Sequence, residues 1–398
     1  MSRHPYILTV AFLILGATAA LAQDTRVIVI FHDTPDEAVV TKRGGKVELR
    51  SDRSRMVAAR IAPNKVSDIS EDENVATVIE DREAKIPVFS EGKPSNPGNG
   101  GGGAPPPPPP AQETPWGIDR IDAPAAWVTT VGTGVRIAIV DTGINNAHED
   151  LTDSDGASRV VLGPNFVTAG KSSKDDNGHG THCAGIAGAT DNSIGVVGVA
   201  PNCTLVAVKV LNKSGSGWLS GIIAGVDWAA DNADIISMSL GTTSDVQALH
   251  DSVDAAVAGG VLVVAAGGNE GQQGNPPLYP GAYSSVVAVA ATNSSDGVPS
   301  FSTKGSYIDI AAPGVDVTST WKDGGYATLS GTSMATPHVA GAAALLYATG
   351  VTGVAAIRAA LEGTADDINS ATLPGKDNAI GNGLLDVEEA VTGSSSAP

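Results

Sequence analysis

The sequence has few aromatic residues, few basic residues and only two cysteines. Aromatic residues make up 4% of the 398 residues, so the core must be built mainly from Val, Ile, Leu and Ala. The net charge is −19, and 29 acidic but only 11 basic residues lie from Ala111 onward. This acidic surface argues against nucleic acid or an anionic membrane as a partner. Cys183 and Cys203 are too few for a structural zinc site. We expect buried thiols, with a Cys183–Cys203 disulfide as the alternative.

Long hydrophobic runs are missing beyond the first residues of the chain. Arg3 precedes the apolar run Tyr6–Leu15, and Ala20-Leu21-Ala22 follows as a cleavage signature. This pattern predicts a signal peptide over residues 1–22. A membrane anchor is the alternative, but the apolar run is short for a bilayer span. The sequence therefore indicates export, either to the medium or to the periplasm.

The rest of the chain divides into four parts by composition. Residues 23–90 show four short strands and two short helices, which indicates an α+β unit, ferredoxin-like in outline. Residues 91–111 are a linker, with Gly100–Gly103 flexible and Pro105–Pro110 stiff. In residues 112–391, continuous apolar strands alternate with helices, which predicts an α/β fold with a mostly parallel sheet covered on both faces. Residues 392–398 are expected to be a disordered tail.

Three short segments carry an acid, an imidazole and a hydroxyl among small residues. Asp141 ends a buried strand, His179 starts a helix between two glycines, and Ser333 stands at the start of a long apolar helix. A serine hydroxyl needs a base within hydrogen-bond reach, and that base needs a group to orient it. Taken singly, each residue fits a turn or a helix cap, but the three together indicate nucleophilic catalysis.

These segments resemble the subtilisin-like serine proteases over residues 111–391. The motifs are Val140–Gly143, Asn177–Gly185 and Gly331–His338, in the chain order Asp, His, Ser. The resemblance implies a serine endopeptidase with a subtilisin-like three-layer fold. Asp141 would orient the base His179, and Ser333 would be the nucleophile. In Val263–Glu270, Asn269 would donate its side-chain N–H to the oxyanion.

Two other classes of function are considered beside the endopeptidase. One is a protease-shaped binding or scaffold protein without activity, against which the complete catalytic set argues. The other is an esterase that uses the same machinery. Gly331–Ala335 does not match the G-x-S-x-G pattern of α/β-hydrolase esterases.

The resemblance also implies how a polypeptide substrate binds. It would lie as an added strand between Gly215-Ser216-Gly217 and Ser239-Leu240-Gly241. The S1 pocket would be walled by Leu240–Gly241 and by Ala265-Ala266-Gly267. Leu278 falls where many relatives carry a small residue at the pocket floor. We therefore expect a shallow pocket that favours small or medium apolar P1 side chains.

A structural calcium ion is the cofactor that the resemblance implies. The loop Thr190–Val196 matches the family's strong calcium loop. The implied ligands are the Gln112, Asp150 and Asn192 side chains and the carbonyls of Thr190, Ile194 and Val196. All are oxygen donors, as Ca²⁺ requires; an ordinary polar turn is the alternative. His148, His182 and His338 show no H-E-x-x-H spacing, so we expect structural roles for them.

The N-terminal unit resembles the inhibitory propeptide of these proteases. Its tail near Ile86–Ser90 would block the cleft until the precursor cleaves itself. We expect the first cut near Phe89–Glu91, because a cut before Ala111 would place Pro110 in the S1 pocket. A flexible linker of about 20 residues spans roughly 25 Å, so Gln112 could reach its calcium site before processing. We expect a monomer.

Overall fold

The computed structural model describes residues 23–87 and 109–394. Residues 23–87 form the small α+β domain. Its elements are β1 Thr25–Phe31, α1 Glu37–Thr41, β2 Lys46–Ser51, β3 Met56–Ile61, α2 Val66–Ser70, β4 Val75–Glu80 and β5 Glu83–Lys85. The four longer strands form an antiparallel sheet in the order β2-β3-β1-β4. The ferredoxin-like outline expected from the sequence is present.

Both faces of the small sheet are buried. Along β1, Val27 and Val29 point into a cluster with Val40 and Ile69 from the two helices. Ile28 belongs instead to a cluster that continues into the large domain. Since side chains alternate between the two faces of a strand, one apolar face forms the small core and the other packs on the large domain.

Residues 109–394 form the larger domain around a seven-stranded sheet. Its strands are β6 Arg136–Asp141, β7 Val160–Asn165, β8 Thr204–Lys209, β10 Ile235–Met238, β11 Leu262–Ala266, β12 Val287–Thr292 and β13 Ile310–Pro313. Their order is β13-β12-β11-β10-β6-β8-β7, with every neighbouring pair parallel. Three short strands lie outside this sheet: β9 Ser216–Trp218, β14 Val317–Thr320 and β15 Tyr326–Leu329.

Helices cover both faces of this sheet. They are α3 Trp116–Arg120, α4 Ala123–Ala126, α5 His179–Gly188, α6 Leu219–Ala230, α7 Gln247–Ala258, α8 Thr332–Ala348, α9 Val354–Gly363 and α10 Val387–Thr392. On β6, Ile137 and Ile139 face the cluster that contains α5 and α8, while Ala138 and Val140 face α6 and α7. This confirms the three-layer α/β architecture. In the described part of the chain, no helix is long and apolar enough to cross a bilayer.

The sequence analysis missed the two edge strands of the sheet. β7 has exposed side chains and contains Gly163 and Pro164, and β13 is only four residues long. Neither segment has a long apolar run, so its strand pairing depends on a neighbour that is distant in sequence. The hairpin β14–β15 and helices α3, α4 and α10 were also missed; α10 runs one residue past the expected boundary at 391.

The two domains contact each other through carboxylates as well as through apolar side chains. Asp81 accepts hydrogen bonds from the backbone N–H and the hydroxyl of Ser220, at 3.0 and 2.8 Å, at the start of α6. Asp227, further along α6, accepts a 2.9 Å bond from the hydroxyl of Ser54. These bonds satisfy buried polar groups at the interface and fix the small domain above the cleft.

Candidate active site

A buried carboxylate and an imidazole lie together where β6 ends and α5 begins. His179 Nδ1 lies 2.9 Å from both carboxylate oxygens of Asp141. Close approach of the two elements requires Gly180, because a Cβ there would lie 2.2 Å from the Gly143 carbonyl oxygen. Since Nδ1 donates its proton to Asp141, Nε2 is the ring nitrogen that can accept another.

Both members of this pair are nearly inaccessible, with Asp141 0% and His179 1% exposed. Burial disfavours an imidazolium, but the charge of Asp141 outweighs it and raises the pKa of His179 well above its usual value. The pair therefore provides a strengthened base held in a fixed orientation.

Ser333 lies beside this pair as the second residue of α8. Its hydroxyl donates a 3.3 Å bond to the Ser239 carbonyl, and its own carbonyl accepts a 2.8 Å bond from the Ser239 hydroxyl. The thiol of Cys183 lies 3.5 Å from the same Ser333 carbonyl and 3.9 Å from His179 Nδ1. Because Ser333 is in the first turn, its N–H has no acceptor within the helix.

The two cysteines are buried free thiols, as expected, and the disulfide alternative is wrong. Burial raises the pKa of Cys183 and raises that of Cys203 to about 11. Both side chains are therefore neutral at ordinary pH.

Asn269 follows β11 and lies against the first residue of α8. Its Oδ1 accepts bonds from the backbone N–H and the hydroxyl of Thr332, both at 2.9 Å. Its buried Nδ2 finds no acceptor within residues 23–87 and 109–394. A buried donor without an acceptor costs about 1–3 kcal/mol, which is typical of a group arranged for a ligand. The orienting role of Thr332 was missed, although its position next to Ser333 could have suggested it.

The tail of the small domain already occupies the cleft as an added strand. β5 pairs antiparallel with β9, so that Ala84 lies opposite Gly217 and Lys85 opposite Ser216. Lys85 also exchanges two backbone hydrogen bonds with Gly241. The Ile86 N–H donates to the carbonyl of Gly215 at 3.0 Å. The two segments predicted to bind a peptide backbone therefore hold one here.

A cavity of about 490 Å³ opens beside this strand. Its lining includes the expected Gly241, Asn269 and Leu278, and also four residues that the sequence analysis missed: Thr242, Thr243, Glu270 and Gln273. Leu278 is 3% exposed and packs where a Cβ on Gly241 would be.

Ala265, Ala266 and Gly267 do not line this cavity, and their place in the wall of the S1 pocket stays a prediction. Ala265 is part of the core, and the Gly267 carbonyl accepts a 2.7 Å bond from the Tyr307 hydroxyl. The Leu240 side chain is likewise 0% exposed and belongs to the core.

The six predicted calcium ligands come together around the loop 190–196. Asp150 accepts bonds at 2.9 Å from Asn192 Nδ2 and from the Val196 N–H. Gln112 Oε1 accepts a 2.6 Å bond from the Asn192 N–H. The Thr190 N–H donates to the Asp150 carbonyl at 2.9 Å, and Asn192 Oδ1 accepts from the N–H of Ile194 at 2.7 Å. Burial raises the pKa of Asp150 to about 6.

The three remaining motif histidines bond to the backbone. His148 Nε2 lies 2.9 Å from the Gly325 carbonyl, His182 Nε2 2.9 Å from that of Ala327, and His338 Nδ1 2.8 Å from that of Met334. Burial lowers the pKa of His182 to about 3 and that of His338 to about 4. They are neutral structural residues, as expected.

A parallel α/β sheet that brings a buried Asp–His pair to a helix-start serine defines a serine hydrolase. Residues 132–383 match the Subtilase family. Subtilisin E of Bacillus subtilis (strain 168) is 39% identical over 96% of this chain and 95% of its own length. Thermitase of Thermoactinomyces vulgaris is 48% identical over 64% of this chain and 89% of its own. An alkaline protease of Alkalihalobacillus alcalophilus is 47% identical over 70% of each chain. The chain belongs to the subtilase family and is a subtilisin-like serine endopeptidase that acts on polypeptides.

Proposed function

We propose that Ser333, His179, Asp141 and Asn269 form the catalytic set of this endopeptidase. His179 Nε2 takes the Ser333 hydroxyl proton as Oγ attacks the scissile carbonyl, and Asp141 holds the imidazolium in place. The Asn269 amide and the Ser333 N–H stabilise the oxyanion. His179 then protonates the leaving amine, and water hydrolyses the acyl-enzyme. One observation carries this proposal: the buried Asn269 amide nitrogen has no acceptor among the residues that the structure describes.

Casein zymography of the wild type and of Ser333→Ala tests the catalytic set. Clearing by the wild type alone supports the proposal, and clearing by both variants would contradict it. No clearing by either would favour a binding or scaffold protein. An esterase would cleave a nitrophenyl ester but leave casein intact.

The substrate specificity that we propose rests on Leu278. A peptide substrate would add a strand between residues 215–217 and 239–241, as the tail does. Leu278 shortens the cavity in which the P1 side chain would lie, so small or medium apolar P1 residues are favoured. A series of chromogenic peptides that differ only at P1 tests this. A preference for Phe or Tyr in the wild type would contradict it, and Leu278→Gly should shift the preference toward larger side chains.

The calcium site that we propose uses Gln112, Asp150 and Asn192 with the carbonyls of Thr190, Ile194 and Val196. The fit rests on Asp150, a carboxylate that is 0% exposed and has a raised pKa. A buried carboxylate is costly unless a cation lies beside it. The ion would supply that charge and hold the loop, without a part in bond cleavage. Chelation should lower thermal stability before it lowers activity.

The precursor that we propose has residues 23–90 as inhibitory propeptide, 91–111 as linker and 112–391 as peptidase. The occupied cleft supports inhibition. The bridges of Ala111 to Ile194 and of Glu113 to Val196 support calcium binding before processing. The predicted signal peptide 1–22, the linker residues 91–108, the tail residues 395–398 and the whole expected cut site at Phe89–Glu91 lie outside the described residues. Export to medium or periplasm and a monomeric state remain part of this proposal. N-terminal sequencing of the processed protein tests the boundaries.

A further inference from the structure

The tail of the small domain presents a proline to the nucleophile. The Lys85 N–H donates to the Gly241 carbonyl at 3.1 Å, and the Gly241 N–H donates to the Lys85 carbonyl at 2.9 Å. Continuing this antiparallel register by two residues sets Pro87 opposite Ser239. The Ser239 carbonyl accepts the Ser333 hydroxyl bond at 3.3 Å. In this register the Pro87 carbonyl would be the one that Ser333 attacks.

The cavity beside the tail supports the same register. Pro87 is buried, and it lines the 490 Å³ cavity together with Asn269 and Leu278. The proposed oxyanion donor and the proposed pocket floor thus both lie next to Pro87. A larger side chain at position 87 could extend into this cavity, whereas the compact ring of proline leaves it open.

Proline lacks the backbone N–H that residue 87 would need in order to bond to the Ser239 carbonyl. The preceding residues, Lys85 and Ile86, donate their N–H groups to the Gly241 and Gly215 carbonyls. The next residue along the strand would donate to the Ser239 carbonyl, but proline has no N–H. The bond that would align residue 87 for attack cannot form, and the Ser239 carbonyl instead accepts from the Ser333 hydroxyl.

We propose that Pro87 makes the tail a poorly cleaved occupant of the cleft, and so delays removal of the small domain. Cleavage in this register would transfer the acyl group of residue 87 to Ser333 Oγ and release the Val88 amine with a proton from His179. Water would then free the new carboxylate. Proline opposes the first of these steps, so the first cut falls at another bond. This inference rests on the proposed role of Ser333.

The test compares self-processing of the full precursor with that of Pro87→Ala, followed by mass spectrometry of the fragments. The wild type should give no early fragment that ends at residue 87. Pro87→Ala should give that fragment about two- to tenfold faster than the wild type, the range expected for one hydrogen bond formed in the transition state. Lys46→Ala, on β2 of the same small domain, is the control, because its side chain is exposed and lies outside the tail. It should process like the wild type.

A first wild-type cut after Pro87, or an unchanged rate in Pro87→Ala, would overturn the inference. If Pro87→Ala fails to fold, mature wild-type enzyme is given two synthetic peptides of residues 82–91 with Pro or Ala at position 87. Equal cleavage of both peptides after residue 87 overturns it as well. A wild type that leaves both casein and its own chain intact would instead refute the proposed function.

Discussion

Because Asp150 is buried, we predict that stability depends on pH differently in the calcium-free and the calcium-bound protein. Asp150 is 0% exposed, and burial raises its pKa from 3.8 to about 6. Between these values the folded protein binds more protons than the unfolded chain, so the stability of the calcium-free protein falls as pH rises from about 4 to about 6. The difference in pKa corresponds to about 3 kcal/mol. Bound calcium neutralises the carboxylate and removes this loss.

The assay is scanning calorimetry of the Ser333→Ala precursor, which cannot digest itself. Unfolding is followed at pH 5 and pH 8, in excess calcium and in EDTA. For a domain of this size, about 3 kcal/mol corresponds to a shift of about 5 °C in Tm. At 1,000 times the dissociation constant, the ion adds about 4 kcal/mol of stability. We therefore expect EDTA to lower Tm at pH 8 by several degrees, and by much less at pH 5, where a protonated Asp150 also weakens calcium binding.

Asp150→Asn removes the charge while keeping the size of the side chain. This substitution should abolish the increase in Tm that calcium gives, and in EDTA it should make Tm nearly independent of pH between pH 5 and pH 8. Asp155→Asn is the control, because Asp155 is also an exposed aspartate and lies outside the proposed ligand set. The reasoning is refuted if Asp150→Asn keeps the full calcium gain, or if the calcium-free protein is equally stable at pH 5 and pH 8.

Four further predictions concern the catalytic set and Cys183, which contacts it. Asn269→Ala should lower kcat by about 10²–10³, the range known from subtilisin, with KM little changed; a loss below fivefold in steady-state assays would contradict it. In wild-type pH profiles, kcat/KM should rise with pH through an apparent pKa above the usual value for histidine, because Asp141 stabilises the His179 imidazolium. In Asp141→Asn, kcat should fall by about 10⁴. Mercuric ion should inhibit the wild type, since Cys183 contacts both His179 and the Ser333 carbonyl. Cys183→Ala should stay active and resist it; equal inhibition of both would contradict this.

The sequence was most informative where a segment carries its own periodicity or motif. The apolar run before Asp141 predicted β6, and the helices that begin near His179 and Ser333 were placed to within one or two residues. The two cleft segments were also predicted, and the tail of the small domain pairs with both. For β6 and the two helices, the pattern lies within the segment itself. For the two cleft segments, the prediction follows from the resemblance to the family, whose motifs lie on both sides of them.

The features that were missed depend on contacts between distant residues. Thr332 orients Asn269 across 63 positions in sequence, and only folding brings the two together. The lining residues Thr242, Thr243, Glu270 and Gln273 come from separate segments, and no local pattern shows that their side chains reach one cavity. β7 pairs with β8 despite its exposed side chains. Its strand character comes from the partner and not from its own pattern.

The segment 88–108 joins a tail that lies in the cleft to Gln112 at the loop 190–196. While that segment is intact, both of its ends are anchored on the same molecule. The tail and the cleft then belong to one chain, so their association is intramolecular and does not depend on dilution. Once any bond between residues 88 and 108 is cut, the small domain becomes a separate ligand and its occupancy follows mass action. If the small domain inhibits the peptidase as proposed, dilution of the cut protein then releases it from the cleft and raises the activity.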